Sequence, residues 1–261
     1  MTDWTSIWRV ARVSGSREVG RGNHLLSLRI DDEHPFPFQP GHVLSLRLAQ
    51  PDGTFLRHPY TVALVNPEAR ELGLVFRIIP GGRLTPTLAA LKQGAVEVSG
   101  LHHRPILDEI SFNTDIFVGI STGSGIGPLY GFARWSLERG FKRSIRLFAG
   151  YREEADISLG PELGSLAERF PNFSWAPTLS RPAETWQGLR GRVTESVPAL
   201  IANPLTCHFH LVGNKAMLEE MEAALTLIGV PDSQVSDEGF FNWNAEADRA
   251  VVQAIAGRFR V

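Results

Sequence analysis

Within ten residues, FLRHPYTVAL at 55–64, the chain gathers a guanidinium, an imidazole, a phenol and a hydroxyl, on Arg57, His58, Tyr60 and Thr61, around Pro59. The run reads as a β-strand. A proline cannot donate to a sheet ladder, so this strand is expected at an edge or a bulge. A broken edge can carry a cation to a phosphate and an aromatic ring to a flat cofactor, with Tyr60 stacking and Thr61 bonding a ring nitrogen. The same residues also suit plain packing, since a strand tyrosine commonly belongs to the core.

Two glycine-rich turns carry a second kind of chemistry. In GISTGSGIGPLYG, an apolar strand runs into Thr122–Pro128 and then into a helix. Free backbone N–H groups and the helix dipole make such a turn an anion site. Gly123, Gly125 and Gly127 permit close approach of a phosphate or a ring, and Pro128 starts the helix. The spacing is G-x-G-x-G, not the dinucleotide G-x-G-x-x-G, and a tight turn needing glycine for sterics reads equally well. In IPGGRLTPTL, Gly81 and Gly82 precede a helix for which Thr85 suits the N-cap, Pro86 the first helical position and Gly94 the exit. A second phosphate or an ordinary capped helix fits that pattern.

The elements that must position these residues fall into two halves. Short strand-like runs, NHLLSLRI, HVLSLRLA, LGLVFRII and AVEVSG, are separated by turns such as QPG and PDG, which points to an antiparallel barrel or sandwich. From about residue 112, strand and helix alternate four times, as DIFVGIS, SIRLFAG, FSWAPTL and CHFHLVG each lead into a helical pattern. That rhythm implies a parallel sheet covered by helices. The expected boundary lies near HHRPILDEISFN, giving domains at 1–108 and 109–261, the second with a C-terminal extension.

Composition bounds the rest. The chain has 261 residues and a formal net charge of −2, so no global field argues for nucleic acid. Only Lys92, Lys142 and Lys215 are lysines among 26 basic residues, a bias toward the side chain that grips phosphate with a planar fork; codon usage explains the bias as well. Cys207 is the sole cysteine, which excludes an internal disulfide and a four-thiolate cluster within this chain. It reads as a small buried hydrophobe. MTDWTSIWRV shows no signal-peptide pattern and no stretch reaches membrane-span length, so the expected location is the reduced cytoplasm. The pairs in LHHRP and CHFHL place His208 and His210 on one strand face, but no third ligand is apparent and no metal site is expected.

In order, FQPGHVL, HPYT, GGRLTPTL, STGSGIGP and HLVGNKAM resemble the ferredoxin–NADP reductase family over roughly residues 8 to 242, and its compact bacterial branch in particular. The resemblance implies a flavin-binding antiparallel β-barrel followed by an α/β nicotinamide-nucleotide domain. It implies that Tyr60 stacks on the isoalloxazine and Thr61 bonds near flavin N5, these two being the catalytic pair. His58 stands where the family usually has Arg, so Arg57 is expected to share the flavin phosphate with His58 beside Pro59. Gly82, Arg83, Leu84 and Thr85 match the second flavin-phosphate segment. Thr122, Gly123, Gly125 and Ile126 match the nicotinamide-side loop, and Gly213 matches a Cys-Gly segment in which Val212 replaces the Cys.

Cofactor choice follows from charge. A 2′-phosphate wants arginine, whereas a free ribose hydroxyl wants a carboxylate. Ser180, Arg181, Arg190 and Arg192, with Arg152 in GYREE, fall where the family holds the 2′-phosphate, which favours NADPH. The compact branch favours FAD over FMN. Past the family's usual end, Phe240, Phe241 and Trp243 suit either a flavin lid or packing. AEADRAVVQAIAG reads as a helix with Val251, Val252 and Ile255 on one side, against its own barrel or a partner subunit.

The implied function is hydride transfer from NADPH to FAD and single-electron delivery to ferredoxin or flavodoxin, by a monomer or homodimer. A reductase for an oxygenase, a free flavin or ferric reductase, and a non-catalytic electron-transfer or nucleotide-sensing subunit are the alternatives. The absent Cys gives weight to the last.

Overall fold

A computed structural model describes residues 7–240 and 246–260. The chain divides into two compact units, Met1–Asp108 with Gly127–Ser136, and Glu109–Ile126 with Leu137–Val261.

The first unit is a closed six-stranded antiparallel barrel: β1 (Arg9–Gly20), β2 (Asn23–Arg29), β5 (Glu71–Arg77), β4 (Phe55–Asn66), β3 (Val43–Ala49) and β6 (Ala95–Ser99), in that order around the wall. Alternation builds its core. Leu44 and Leu46 of β3, Leu26 and Leu28 of β2, Leu72 and Leu74 of β5, and Val96 and Val98 of β6 all face inward, with Phe38 filling the interior. The first strand was not among the expected elements. Its RVARVSGSREVG is rich in charge, and its pairing with β2 shifts register between Val13 and Gly15, so the period-2 pattern breaks. Helix α1 (Leu84–Ala90) lies between β5 and β6, and α2 (Ile106–Glu109) follows the barrel.

Two expectations about α1 need correction. Arg83, not Thr85, precedes its first residue, and no side chain caps it. The Thr85 hydroxyl instead accepts the Ile79 N–H at 2.9 Å, closing the loop that leads into the helix. Helix α1 ends at Ala90, and Gly94, with φ 109°, serves the turn into β6.

The second unit is a six-stranded parallel sheet in the order β10 (Leu189–Arg190), β9 (Phe173–Leu179), β8 (Ser144–Tyr151), β7 (Ile116–Thr122), β11 (Cys207–Asn214), β12 (Val235–Phe240). Its helices are α4 (Gly160–Arg169), α5 (Val193–Ser196) and α6 (Lys215–Leu227), while most of α3 (Ile126–Glu138), which follows β7 in the chain, belongs to the first unit. The buried central strands β7, β8 and β11 read as apolar runs, as two-sided burial requires. The edge strands β10 and β12 were missed: one is two residues long, and VSDEGF carries two acids and a glycine. One face is packed by Val118, Ile120, Phe209 and Leu211 against Met217, Leu218 and Met221 of α6.

The C-terminal helix α7 (Arg249–Ala256) is capped by Asp248, whose carboxylate accepts the N–H groups of Ala250 and Val251. It packs against α6 within the second unit, where the barrel or a partner subunit was expected. Val252, Ile255 and Phe259 enter the same core as α6, while Val251 turns outward, so the expected apolar side is displaced by one residue. Phe241 and Trp243 lie outside the described residues. Cys207 is fully buried, its thiol pushed up by burial, as expected of a packing cysteine.

Candidate functional site

The barrel carries one candidate site on β4. From Phe55 to Thr61 this strand pairs with β3 in unbroken register, Val43 opposite Thr61 through Ala49 opposite Phe55. Strand β5 joins its other edge only from Val62, with a register shift before Leu64. Pro59 therefore sits where one edge of β4 has no strand partner, the position at which a missing N–H is tolerated. Residues 55–61 form the lip of that opening, and the loop 78–83 leaves the end of β5.

Pleating sorts the side chains. Leu56, His58 and Tyr60 lie opposite Leu48, Leu46 and Leu44 and share their side of the sheet, whereas Arg57 and Pro59 share the outer side with Arg47 and Ser45. The structure thus brings His58 and Tyr60 together, ring centroids 5.4 Å apart, and does not bring Arg57 to His58. The Arg57 guanidinium rests 5.0 Å from the Trp8 ring and donates to Ser45 Oγ at 3.4 Å. The His58 Nδ1–H donates to its neighbour's carbonyl, Pro59 O, at 2.7 Å, which leaves Nε2 facing away as an acceptor in the neutral ring.

Tyr60 is 8% exposed and touches Phe76, centroids 5.7 Å apart. Among the described residues its buried hydroxyl has no hydrogen-bond partner, and burial raises its pKa. A buried hydroxyl is normally satisfied, so this orphan beside an open strand edge fits a polar ligand atom. Thr61 is buried next to it. In the loop after β5, Ile78 N–H is held by Gly22 O and Gly82 N–H by Ile79 O. Gly81 takes φ 75° with open space where a Cβ would be, and the Arg83 charge reaches Asp52 in the β3–β4 turn.

In the second unit, a separate candidate site lies at the carboxyl ends of β7 and β11, where open α/β sheets bind ligands. Thr122 Oγ1 accepts from the Asn214 N–H at 3.3 Å and from Asn214 Nδ2 at 3.4 Å. Asn214 Oδ1 in turn caps α6 by accepting the Met217 N–H at 3.0 Å. Gly213 leaves room for the Thr122 hydroxyl, and a Cβ on Gly125 would come 2.7 Å from Val212 O. The nucleotide loop is thus fastened to the strand beside it. Gly123, with φ 56°, faces open space. Asn214 was not among the expected site residues, although an Asn just before KAML is a readable cap.

At the ends of β8 and β9, Arg181 N–H bonds Arg152 O at 2.8 Å and Ser180 N–H bonds Tyr151 O at 3.0 Å, so Arg152, Ser180 and Arg181 are neighbours. Arg192 begins α5, its N–H held by Glu195 Oε2. Arg190 does not belong with them as a free cation. Its Nη2 is occupied by the carbonyls of Ala183, Glu184 and Trp186, which staples that loop.

The structure also shows a buried polar chain that sequence reading missed. Ser111 N–H donates to His208 Nδ1, so His208 Nε2 carries the proton and donates to Ser236 Oγ at 3.0 Å. Ser236 Oγ also lies 2.7 Å from His210 Nδ1, and His210 Nε2 is buried with no partner among the described residues. Phe117 stacks on both imidazoles. Burial first, then the Arg143 charge, lowers His208 to about 4; burial and His208 lower His210 to about 3. Glu109 lies 3.4 Å from His210, and burial with the Glu109 and Asp237 charges raises Glu238 to about 8. Among the described residues no cluster of His, Cys, Asp or Glu is arranged to hold a metal. Nothing at Ser236 announces this chain in sequence, because the histidines meet it only across two strands.

A barrel with a polar strand edge, followed by a parallel sheet with a fastened glycine loop, is the build of a two-domain oxidoreductase. Residues 120–223 match the family model described as an oxidoreductase NAD-binding domain. Over 191 residues the chain is 31% identical to ferredoxin–NADP reductase B of Sorangium cellulosum, covering 73% of this chain and 77% of that protein. It is 35% identical over 178 residues to the reductase component of phenol 2-monooxygenase from a Pseudomonas species, covering 66% of this chain but only 48% of that protein. The crystal structure of the Amycolatopsis cytochrome P450 reductase GcoB superposes with a TM-score of 0.77 at 26% identity, covering 90% of this chain and 70% of that one. The chain belongs to the ferredoxin–NADP reductase family.

Proposed function

We propose that this chain takes a hydride from NADPH onto a bound FAD and delivers the two electrons singly to a small iron–sulfur or flavodoxin-type carrier. The carrying observation is the Tyr60 hydroxyl, buried without a partner at the lip where β4 has no neighbour. Such a lip fits a flavin: Tyr60 would offer ring and hydroxyl, Thr61 a hydrogen bond, and His58 with Gly82, Arg83, Leu84 and Thr85 the phosphate contacts. The flavin, when bound, supplies the conversion of a two-electron donor into one-electron steps.

Thr122, Gly123, Gly125 and Ile126, with Gly213, would seat the nicotinamide nucleotide. The neighbouring Arg152, Ser180 and Arg181, with Arg192, support a 2′-phosphate and so NADPH. Val212 leaves no thiol at the position next to Gly213, so orientation of the dihydropyridine rests on packing and backbone groups. No general acid–base pair is needed to move the hydride; positioning and exclusion of water suffice.

A second reading, the reductase component of an oxygenase, is favoured by the phenol 2-monooxygenase relative. Anaerobic mixing of the flavin-loaded protein with NADPH, and separately with NADH, tests the proposal. Rapid bleaching by NADPH is expected. A protein that holds no flavin, or whose flavin stays oxidised with either nucleotide, would refute it.

A further inference from the structure

The outer face of the barrel wall formed by β1, β6, β3 and β4 departs from what a solvated sheet face normally shows. Val10 is 54% exposed and Phe55 46%. Four planar groups meet on it: Phe55 and Trp8 each lie 4.3 Å from the Arg47 guanidinium, and the Arg57 guanidinium lies 5.0 Å from the Trp8 ring. These contacts hold the aromatic rings in place, so little side-chain freedom is left to lose on contact with another protein.

The charges on this face are unequal. Arg47 and Arg57 are directly opposed on neighbouring strands, an arrangement that destabilises a sheet unless both are neutralised. Glu97 neutralises only Arg47, through two bonds of 2.9 and 3.0 Å. Arg57 has a serine hydroxyl and an indole, but among the described residues no carboxylate. Arg12, further along β1, shares Asp31 with Arg29. The face therefore presents an apolar centre with an uncompensated guanidinium at its margin. It also shares β4 with the cofactor lip, Arg57 and Pro59 pointing out where His58 and Tyr60 point the other way.

We propose that this face docks an acidic one-electron carrier protein, with Trp8, Val10 and Phe55 as its apolar centre and Arg57 as its anion-gripping margin. A negative partner is what the unpaired arginine selects, and a carrier bound here is separated from the flavin lip by a single strand. The inference rests on the reductase reading and names the surface that reading leaves open.

The probe is a purified acidic plant-type [2Fe–2S] ferredoxin, titrated calorimetrically into the flavin-loaded protein and used as acceptor in NADPH-driven reduction. Val10→Glu and, separately, Val10→Asp place like charge before that partner. Each is expected to raise both Kd and the ferredoxin KM by about ten-fold or more, while ferricyanide reduction and thermal midpoint hold, and wild-type binding should weaken with salt. Unchanged ferredoxin binding in both variants, or no wild-type binding at low salt, overturns the docking face while leaving the reductase reading intact. A change in sedimentation of the protein alone would assign the face to a second copy and overturn it too. Failure of wild-type protein to reduce ferricyanide with NADPH would instead sink the reductase reading itself.

Discussion

The buried imidazoles make the acid side of the stability curve a measurable consequence of the structure. His208 is lowered to about 4 and His210 to about 3, against an unfolded value of about 6.5. Both are neutral in the fold, so below about pH 6.5 the unfolded chain binds two protons that the folded chain refuses, and stability falls as pH falls. Each such proton contributes a slope of about 1.4 kcal/mol per pH unit. Glu238 acts with opposite sign: raised to about 8, it keeps a proton in the fold that the unfolded chain gives up above about pH 4.5, so its contribution is lost as pH rises toward 8. Half-exposed Glu222, lifted to about 7 by burial and Asp237, bends the curve the same way. His210→Asn keeps a polar group near the Nδ1 position for Ser236 and removes one titrating ring. Its packing loss is independent of pH, so only the slope difference counts. From about pH 6.5 to about pH 5 the variant should lose about 2 kcal/mol less stability than wild type, read from urea midpoints and m-values across that range. Parallel curves for the two proteins would refute the buried, neutral assignment of His210.

Arg181→Ala combined with Arg192→Ala should raise the NADPH KM by about ten- to a hundred-fold while barely moving the NADH value, since charge-assisted phosphate bonds contribute about 1.5–3 kcal/mol; equal effects on both nucleotides would defeat the 2′-phosphate assignment. Tyr60→Phe removes a buried hydroxyl that has no partner, so the flavin-free protein should be as stable or about 1 kcal/mol more stable, while flavin affinity falls several-fold by fluorescence titration. Unchanged affinity would make Tyr60 a packing residue only. Gly125→Ala sets a Cβ 2.7 Å from the Val212 carbonyl, a backbone atom that cannot turn aside. It should cost about 1–3 kcal/mol of stability and weaken binding of both nicotinamide nucleotides; full retention of binding would show that the loop is free to shift.

Much of this was readable without coordinates. HVLSLRLA announced β3 through its alternation, and CHFHLVG announced β11 through a short apolar run ending at a capped helix. What failed had physical causes. RVARVSGSREVG hides a strand behind charge and a register shift, and VSDEGF hides an edge strand whose polar residues are tolerated because one side is open. Thr85 looked like a cap because its residue type suits one, but its hydroxyl was taken by the Ile79 N–H six residues back. Arg190 looked like a phosphate ligand until three carbonyls were found around its guanidinium.

The sequence by itself determined the two-part architecture, the strand that pairs on one edge, and the glycine turn, because periodicity and backbone chemistry act over a few neighbouring residues. Tertiary structure alone decided which side of β4 each polar group takes, that Asn214 fastens the nucleotide loop, and that two histidines share one serine. Those facts depend on which strand lies alongside, and pairings between residues tens of positions apart leave no local trace.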